Sequence, residues 1–277
     1  MLSSIVDLET AIRKLPEEKK ILFKRIFNIS FFYPKIKILK ENEKYIKKRF
    51  SDIGTIKNQK IVRIENMLTH ESSLLNSVRA LRPIQQTKDI INIEKKDDFC
   101  EIKKVTPMDT FGRIEGKCCV TAANIAKYDC YHDLIVFKEH NPLIFSYKTL
   151  YEAFCIAFKW FKKINKTDSE ARYPLLIWNC LWRAGASVIH AHLQILMAKY
   201  RAYPKISTLY KVFSDYKKKY NRDYFEDLYN IHSFLELAFS HRNIHILSHI
   251  VPVKEKEIIL ISKKFSSQFV NCLLYTS

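Results

Sequence analysis

Apolar residues recur at near-helical spacing through the first part of the chain. They lie three to four positions apart among charged residues, which is typical of amphipathic helices. These positions are Leu8, Ile12, Leu15, Ile21, Phe23 and Ile26. Residues 35–50 form a second amphipathic run, strongly basic, and residues 85–98 form a polar linker. We therefore predict a mostly helical N-terminal region over residues 1–94.

Short apolar runs then alternate with longer helical patterns. Residues 118–123, 134–137 and 174–178 are predicted strands, and Ser146 can cap a helix that runs to about Ile164. Its predicted apolar stripe consists of Leu150, Phe154, Phe158, Phe161 and Ile164. Residues 204–240 are predicted to be helical, with strands at 243–251 and 257–262. This order predicts an antiparallel α+β layer over residues 95–277.

The most regular alternation follows a small-residue turn at residues 183–187. His190, His192 and Gln194 lie two residues apart, so in an extended strand they share one face. Neighbouring side chains on that face are roughly 6–7 Å apart. The residues between them point toward a core on the other face: Ile189, Ala191, Leu193 and Ile195.

The alternation alone leaves the chemistry of the polar face open. Two imidazoles this close can serve one phosphate-bearing ligand, one of them can act as a nucleophile, or both can bind a metal. A simpler alternative is that each histidine is only a hydrogen-bonded polar group. The spacing does not decide between these interpretations.

Composition and charge narrow the class of protein. The chain has 277 residues, a hydrophobic content of 47% and a formal net charge of +18. The charge can collect phosphorylated small molecules, although a Lys-, Ile- and Asn-rich composition explains it equally well. No basic block with interleaved aromatics and glycines marks a nucleic-acid groove, so we predict no nucleic-acid partner.

The distribution of apolar residues and cysteines indicates a compartment. No apolar run approaches the ~20 residues of a membrane helix, and the first 16 residues do not resemble a leader. The seven cysteines are irregularly spaced, as expected of reduced thiols. We predict a soluble, cytoplasmic protein without a membrane partner.

The segment 179–194 resembles a known active-site signature. His-x-His-x-Gln preceded by Gly-x-Ser, with Asn179 eight residues before Ser187, is similar to the signature of the galactose-1-phosphate uridylyltransferases. These form a branch of the histidine-triad superfamily that also contains the diadenosine tetraphosphate phosphorylases. Residues 132–142 look like the preceding strand of the same core. The resemblance covers roughly residues 95–200 and implies a histidine-triad-like antiparallel sheet with packed helices.

The resemblance also implies roles for the residues of the motif. His192 takes the place of the family's nucleophile, and Gln194 that of the residue which hydrogen-bonds the transferring phosphoryl oxygens. Gly185 and Ser187 would let a backbone N–H and a hydroxyl approach the neighbouring phosphate. The remaining implied contacts are Arg183 to developing charge, Asn179 to phosphate or the nucleophile, and Asn124 to the nucleotide.

Zinc-bearing members of the family hold the metal with a Cys-x-x-Cys pair and two histidines. The corresponding residues here are Asp97, Cys100, His140 and His190, with an aspartate in place of the first cysteine. Because aspartate can ligate zinc, a structural zinc site is an expectation of the resemblance. Some members lack zinc, and the alternative that His190 only supports His192 by hydrogen bonding stays open.

Two departures bear on specificity. Cys180-Leu181 replaces the Lys-Gly of the uridylyltransferases, and Ala191 replaces the usual proline of the motif. Both weaken the case for galactose, and the small residues before the motif look closer to the dinucleoside polyphosphate phosphorylases. A second half-repeat, truncated at the C-terminus, and a homodimer are further expectations of the resemblance.

These observations predict an enzyme that transfers a nucleoside monophosphate through a nucleotidyl-histidine. Its partners would be a small-molecule nucleotide, as a nucleotide sugar or a dinucleoside polyphosphate, and phosphate or a sugar phosphate. Two alternatives remain at this point. One is a hydrolase of the same fold, and the other is a nucleotide-binding module without turnover.

Overall fold

The computed structural model describes residues 7–50, 52–80, 96–254, 256–263 and 274–276. The chain divides into two compact units. The first unit contains residues 1–88, 208–264 and 273–277, and the second contains residues 89–207 and 265–272. Among the described residues, none of the helices combines the length and apolar character needed to cross a membrane.

Helices and strands are interspersed along the described chain. The helices are α1 (Leu8–Arg13), α2 (Glu17–Ile26), α3 (Lys40–Phe50), α4 (Ile53–Lys57), α5 (Ser77–Ala80), α6 (Ile102–Val105), α7 (Tyr147–Thr167), α8 (Pro204–Tyr220) and α9 (Tyr224–Phe234). The strands are β1 (Phe27–Phe32), β2 (Ile61–Asn66), β3 (Ser72–Asn76), β4 (Cys119–Ala123), β5 (Tyr131–Phe137), β6 (Ala171–Ile177), β7 (His192–Lys199), β8 (Ala238–His241), β9 (Ile244–Ser248), β10 (Ile258–Ser262) and β11 (Leu274–Thr276).

The first unit holds two antiparallel sheets, β1-β2-β3 and β11-β10-β9-β8. Their inner faces share a core with α2 and α9, in which Ile26, Ile64 and Leu247 are fully buried. The N-terminal region therefore contains the predicted helices together with three strands that were not predicted. In β2 buried and exposed positions alternate as a strand requires, but the run is only six residues long and follows a long helical pattern.

The division into units differs from the predicted one in the placement of residues 208–264. We expected this segment in the core formed by residues 95–277, but it lies with the N-terminal residues in the first unit. The reason is visible in its apolar side chains. Leu209, Leu228 and Ile231 are buried in the same cluster as Leu22 and Phe27. The predicted boundary at 94/95 falls outside the described residues.

The second unit is built on an antiparallel sheet of order β4-β5-β7-β6. Strand β7 lies in the middle, paired with β5 on one side and with β6 on the other. The strands predicted at 118–123, 134–137 and 174–178 all occur in this sheet. With α7 packed on it, the sheet confirms the predicted α+β class.

Helix α7 covers one face of this sheet. Ser146 caps it as predicted, in a capping box with Thr149. The buried stripe of α7 differs in part from the predicted one, because Phe158 is 42% exposed and Phe154 only partly buried. The buried residues of the helix, the last two of which were predicted, are Ala153, Ile156, Ala157, Trp160, Phe161 and Ile164.

Candidate active site and metal cluster

The motif histidines lie where β7 enters the sheet, on the face that α7 does not cover. Leu193 and Ile195 pack into the core beneath α7, so His192 and Gln194 point to the opposite face. The predicted alternation is thus present from His192 onward. His190 lies on a bend just before the strand and is nevertheless buried, at 3% exposure.

The imidazole of His192 is held by one short contact. Its Nδ1 lies 2.7 Å from the main-chain oxygen of His190. A carbonyl oxygen can only accept, so Nδ1 carries the proton and donates it. Burial lowers the pKa of His192 below its ordinary value, and a neutral ring protonated at Nδ1 has its lone pair on Nε2. The Phe99 ring stands edge-on to the imidazole, with centroids 5.4 Å apart.

The side chain of Gln194 joins a polar network. Its Oε1 lies 3.1 Å from the hydroxyl of Tyr128, which donates to it, and 3.1 Å from Nε2 of His132. Asn124 reaches the same imidazole, because its Nδ2 is 3.1 Å from His132 Nε2. The structure therefore brings two predicted site residues, Asn124 and Gln194, into one network through His132.

Sequence reasoning did not assign His132 or Tyr128 to the site. His132 is fully buried on β5, two positions before Leu134, which pairs directly with Gln194 on β7. It thus shares a face with Gln194. The alternation of His132, Leu134 and Val136 was readable in the sequence, and the resemblance placed residues 132–142 in a core strand, but neither gave His132 a role. Tyr128 comes from a loop and carries no periodic signal.

The four residues expected to hold a metal converge at the end of β5. The polar atoms facing one another are Asp97 Oδ1, Cys100 Sγ, His140 Nδ1 and His190 Nδ1. Their six separations are 3.1 Å between the two histidine nitrogens, 3.4 and 3.7 Å from the sulfur to His140 and His190, and 3.2, 3.9 and 3.9 Å from the carboxylate oxygen to His190, His140 and the sulfur. Bonds of ~2.0–2.3 Å in a tetrahedron separate ligand atoms by roughly 3.3–3.8 Å, so the residues fit one tetrahedral cation.

The surroundings of His190 fix which nitrogen faces the cluster. Its Nε2 lies 2.8 Å from the main-chain oxygen of Phe137 and must donate to it. The lone pair of the neutral ring is then on Nδ1, directed at the other three ligand atoms. The main-chain N–H of His190 also donates to Asp97 Oδ2 at 3.1 Å and orients that carboxylate. Such outer contacts are usual around metal-binding histidines.

A cavity of about 680 Å³ opens beside the cluster. Cys100, His140 and His190 line it together with the aromatic side chains Phe99 and Phe137. Its other walls carry charge of both signs, including a lysine–glutamate pair, Lys103 and Glu115, 2.8 Å apart. The cavity provides a route by which solvent and a cation can reach the ligand atoms.

The loop before the motif contains the remaining predicted residues. Gly185 has φ +90°, a conformation that L side chains rarely adopt, and a Cβ added there would lie 3.9 Å from Asn179 Nδ2. Asn179 and Gly185 are therefore neighbours, while Ser187 is exposed. Among the described residues, no hydrogen bond joins these three to His192 or Gln194. The side chain of Arg183 lies outside the described part of the structure.

No protein-family model matches the chain, and no curated protein resembles it significantly. Solved structures do. An ADP-glucose phosphorylase from Arabidopsis thaliana, with bound ADP-glucose, superposes with a TM-score of 0.51 at 16% identity, over 72% of this chain and 67% of that one. A galt-like protein from the same plant gives a TM-score of 0.49 at 16% identity, over 63% of this chain and 62% of that one.

A smaller protein, a HIT family hydrolase from Legionella pneumophila Philadelphia 1, matches 40% of this chain and 99% of its own length, with 20% identity and a TM-score of 0.33. The chain thus spans about two thirds of the length of the two plant proteins. At these identities the likeness concerns the fold. The predicted histidine-triad-like α+β fold is confirmed at that level.

Proposed function

We propose that the protein transfers a nucleoside monophosphate through a covalent intermediate on His192 Nε2. The observation that carries the proposal is the 2.7 Å contact between His192 Nδ1 and the His190 main-chain oxygen. Because this contact holds the proton on Nδ1, the neutral ring offers Nε2 as a nucleophile without prior loss of a proton.

The chemistry proceeds in two displacements. Nε2 attacks the α-phosphorus of the donor, a P–N bond forms, and the bond from phosphorus to the bridging oxygen breaks. The leaving group takes the electron pair and is a sugar phosphate from a nucleotide sugar, or a nucleoside polyphosphate from a dinucleoside polyphosphate. A phosphate or sugar-phosphate oxygen then attacks the same phosphorus and releases His192. The Gln194 amide supports the proposal, because its N–H groups can stabilise charge on the phosphoryl oxygens during both steps.

The donor class follows from the resemblance and from one neighbour. The motif is similar to those of enzymes acting on nucleotide sugars or dinucleoside polyphosphates. The plant protein that superposes with a TM-score of 0.51 is an ADP-glucose phosphorylase. We therefore take ADP-glucose as the first donor to test, with diadenosine tetraphosphate and UDP-glucose beside it and inorganic phosphate as acceptor.

We also propose that Asp97, Cys100, His140 and His190 hold a structural zinc ion. The ligand set of one thiolate, two imidazoles and one carboxylate suits zinc, and the spacing of the four atoms supports it. The ion would fix the segment 97–100 against the start of β7. Metal analysis of the purified protein should then give about one equivalent of zinc.

The function is tested by incubating the protein with each donor labelled in its α-phosphate. We expect acid-labile, base-stable label on the protein, released as nucleoside diphosphate (from a nucleotide sugar or diadenosine tetraphosphate) when phosphate is added. Release as nucleoside monophosphate at the same rate without phosphate would identify a hydrolase. Absence of label with every donor, while nucleotides still bind, would identify a binding module and contradict the proposal.

A further inference from the structure

We propose that His132, assisted by Tyr128, is a positioning residue that turns the amide N–H groups of Gln194 toward the transferring phosphoryl group. The inference rests on the proposed function and deepens it. Gln194 has an acceptor end and a donor end of nearly equal shape, and only the donor end stabilises an anionic oxygen. Gln194 can therefore assist the reaction only if a neighbouring group orients its amide with the donor end toward the phosphoryl group.

The sheet places His132 within reach of Gln194. Leu134 pairs with Gln194 across β5 and β7, and His132 lies two positions earlier on β5, on the same face. Its Nε2 is 3.1 Å from Gln194 Oε1. The ring is completely buried, and the Tyr128 ring covers it with centroids 4.1 Å apart. His132 is thus held in place by packing and cannot swing away from Gln194.

The proton of the His132 ring is located by its other nitrogen. The main-chain N–H of Tyr128 is directed at Nδ1, with 3.4 Å between the nitrogens. A backbone N–H can only donate, so Nδ1 must carry the lone pair. Burial lowers the pKa of His132, which keeps the ring neutral at neutral pH. In a neutral ring the proton is then on Nε2, and it points at Gln194.

Gln194 Oε1 therefore receives two donors, the Nε2–H of His132 and the hydroxyl of Tyr128, both at 3.1 Å. With its oxygen engaged, the amide has both N–H groups on the side away from His132. Rotating the amide by 180° would set its N–H groups against the His132 N–H and would offer an oxygen to the phosphate. His132 disfavours that rotation.

Asn124 favours the opposite tautomer of the His132 ring, so the inference can be tested by locating the ring proton. Its Oδ1 accepts from the main-chain N–H of Ala126 at 2.9 Å, which turns Nδ2 toward His132 Nε2 at 3.1 Å. If Nε2 accepted from Asn124, the proton would lie on Nδ1 and face the Tyr128 N–H. The Gln194 amide would then be reversed. The two arrangements differ in the tautomer of a single ring.

The tautomer can be measured on the free protein, without any activity. Long-range proton–nitrogen NMR distinguishes the two ring nitrogens, and the His132 signals can be assigned with a His132→Gln variant. We expect an unprotonated Nδ1 and a protonated Nε2. A protonated Nδ1 would overturn the inference. This result does not depend on the donor, so it stands even if no donor labels the protein.

The kinetic test uses the rate of label transfer to the protein in a single turnover. His132→Leu, which keeps bulk but donates nothing, should slow labelling roughly tenfold, within the range of coupling between contacting groups. His132→Gln, which restores an N–H near the same place, should recover part of that loss. Tyr128→Phe removes one donor from an exposed side chain and should cost a smaller factor.

A double-mutant cycle that combines His132→Leu with Gln194→Ala distinguishes positioning of Gln194 from a general structural role of His132. In a Gln194→Ala background, His132→Leu should cause no further loss, because the group through which it acts is gone. An equal tenfold loss in both backgrounds would contradict the inference. Should the leucine variant unfold, the same cycle with Tyr128→Phe gives the decision, since Tyr128 is 63% exposed and its hydroxyl donates to Gln194.

Discussion

Two histidines two residues apart, one just before β7 and one at its start, use opposite nitrogens. His190 donates from Nε2 to the main-chain oxygen of Phe137 and keeps the Nδ1 lone pair for the metal cluster. His192 donates from Nδ1 to the main-chain oxygen of His190 and keeps the Nε2 lone pair free, on the face of the sheet that α7 does not cover. In each case the main-chain oxygen that accepts the ring proton determines which nitrogen keeps the lone pair, and these are the nitrogens that the two proposed roles require.

The difference shows that two histidines only two residues apart can be suited to different tasks. Nδ1 is close to the backbone and suits a ligand held against a neighbouring segment, whereas Nε2 is at the tip of the ring and suits attack on an external phosphorus. Phe99 lies edge-on to both rings, with centroids 6.2 Å from His190 and 5.4 Å from His192. Its segment, 97–100, is also the one that carries two cluster ligands.

The largest effect is expected from removing the proposed nucleophile, His192. His192→Asn should reduce labelling by roughly a thousandfold or more, as for other covalent catalysts that lose their nucleophile. Its metal content should stay the same, because Nε2 of His192 does not face the cluster. The matched control is His241→Asn, an exposed histidine in the first unit, which should label normally. Loss of metal in His192→Asn would show that the two histidines are not separate in function.

The reciprocal change is His190→Asn. It removes a ligand with the shortest internal contact of the cluster, so we expect metal affinity to fall by at least roughly tenfold. Labelling should fall by less than in His192→Asn, since the substitution leaves in place the His190 main-chain oxygen that orients His192. Zinc content by mass spectrometry and labelling rate on the same preparation check this. Equal loss of labelling in the two variants would contradict the division of roles.

Substitution of Asp97, the aspartate of the cluster, is expected to strengthen zinc binding instead of weakening it. Asp97→Cys adds a second thiolate, the softer ligand that zinc prefers, so release of zinc to a chelator should slow several-fold. Asp98→Cys is the control, because Asp98 is exposed and lies outside the four ligands. Chelator-induced zinc release followed with a dye measures both. Equal slowing in the two variants would indicate that any added thiol near the site suffices.

The smallest expected effect concerns the pH dependence of stability, and it comes from Asp133 on the opposite face of the sheet. Asp133 is buried beside the Trp160 indole N–H, and burial, followed by the neighbouring Asp109, raises its pKa to about 7. A raised folded-state pKa means that the folded protein binds the proton more tightly than the unfolded chain. Stability from this group is therefore present at acid pH and is lost as pH rises from about 4 to about 7.

Asp133→Asn removes that pH dependence. The free energy of unfolding of the variant, relative to the parent protein, should increase by about 1 kcal/mol or more between pH 4.5 and 7.5. Urea unfolding at several pH values measures it, with the exposed Asp98→Asn as control. A pH-independent difference between variant and parent would show that Asp133 does not titrate in this range.

The sequence was sufficient for elements with strong local signals. The alternation after residue 187, the capping Ser146 and the short apolar runs of β4 and β5 predicted the sheet of the second unit and the helix on it. These signals are local, because each depends on residues only two to four positions apart. Strands β1, β2 and β3 of the first unit were missed since each is short and helical patterns surround them.

The sequence was sufficient to name residues of the site, but not the contacts that these residues make. The resemblance named the four cluster residues, and the structure brings all four together. The nitrogen that each histidine uses depends on main-chain oxygens of Phe137 and His190, which no side-chain pattern records. His132 was missed for a related reason. Its role depends on register between β5 and β7, and register is a property of strand pairs.

The most direct test of the central claim is to locate the covalent nucleotide at the level of a single atom. The protein is labelled with the donor that reacts, digested, and its modified peptide is sequenced by mass spectrometry, with phosphorus–nitrogen NMR used to assign the ring nitrogen. We predict one phosphoramidate, on Nε2 of His192. An adduct on Nδ1 of His192, or on any other residue, would contradict the account.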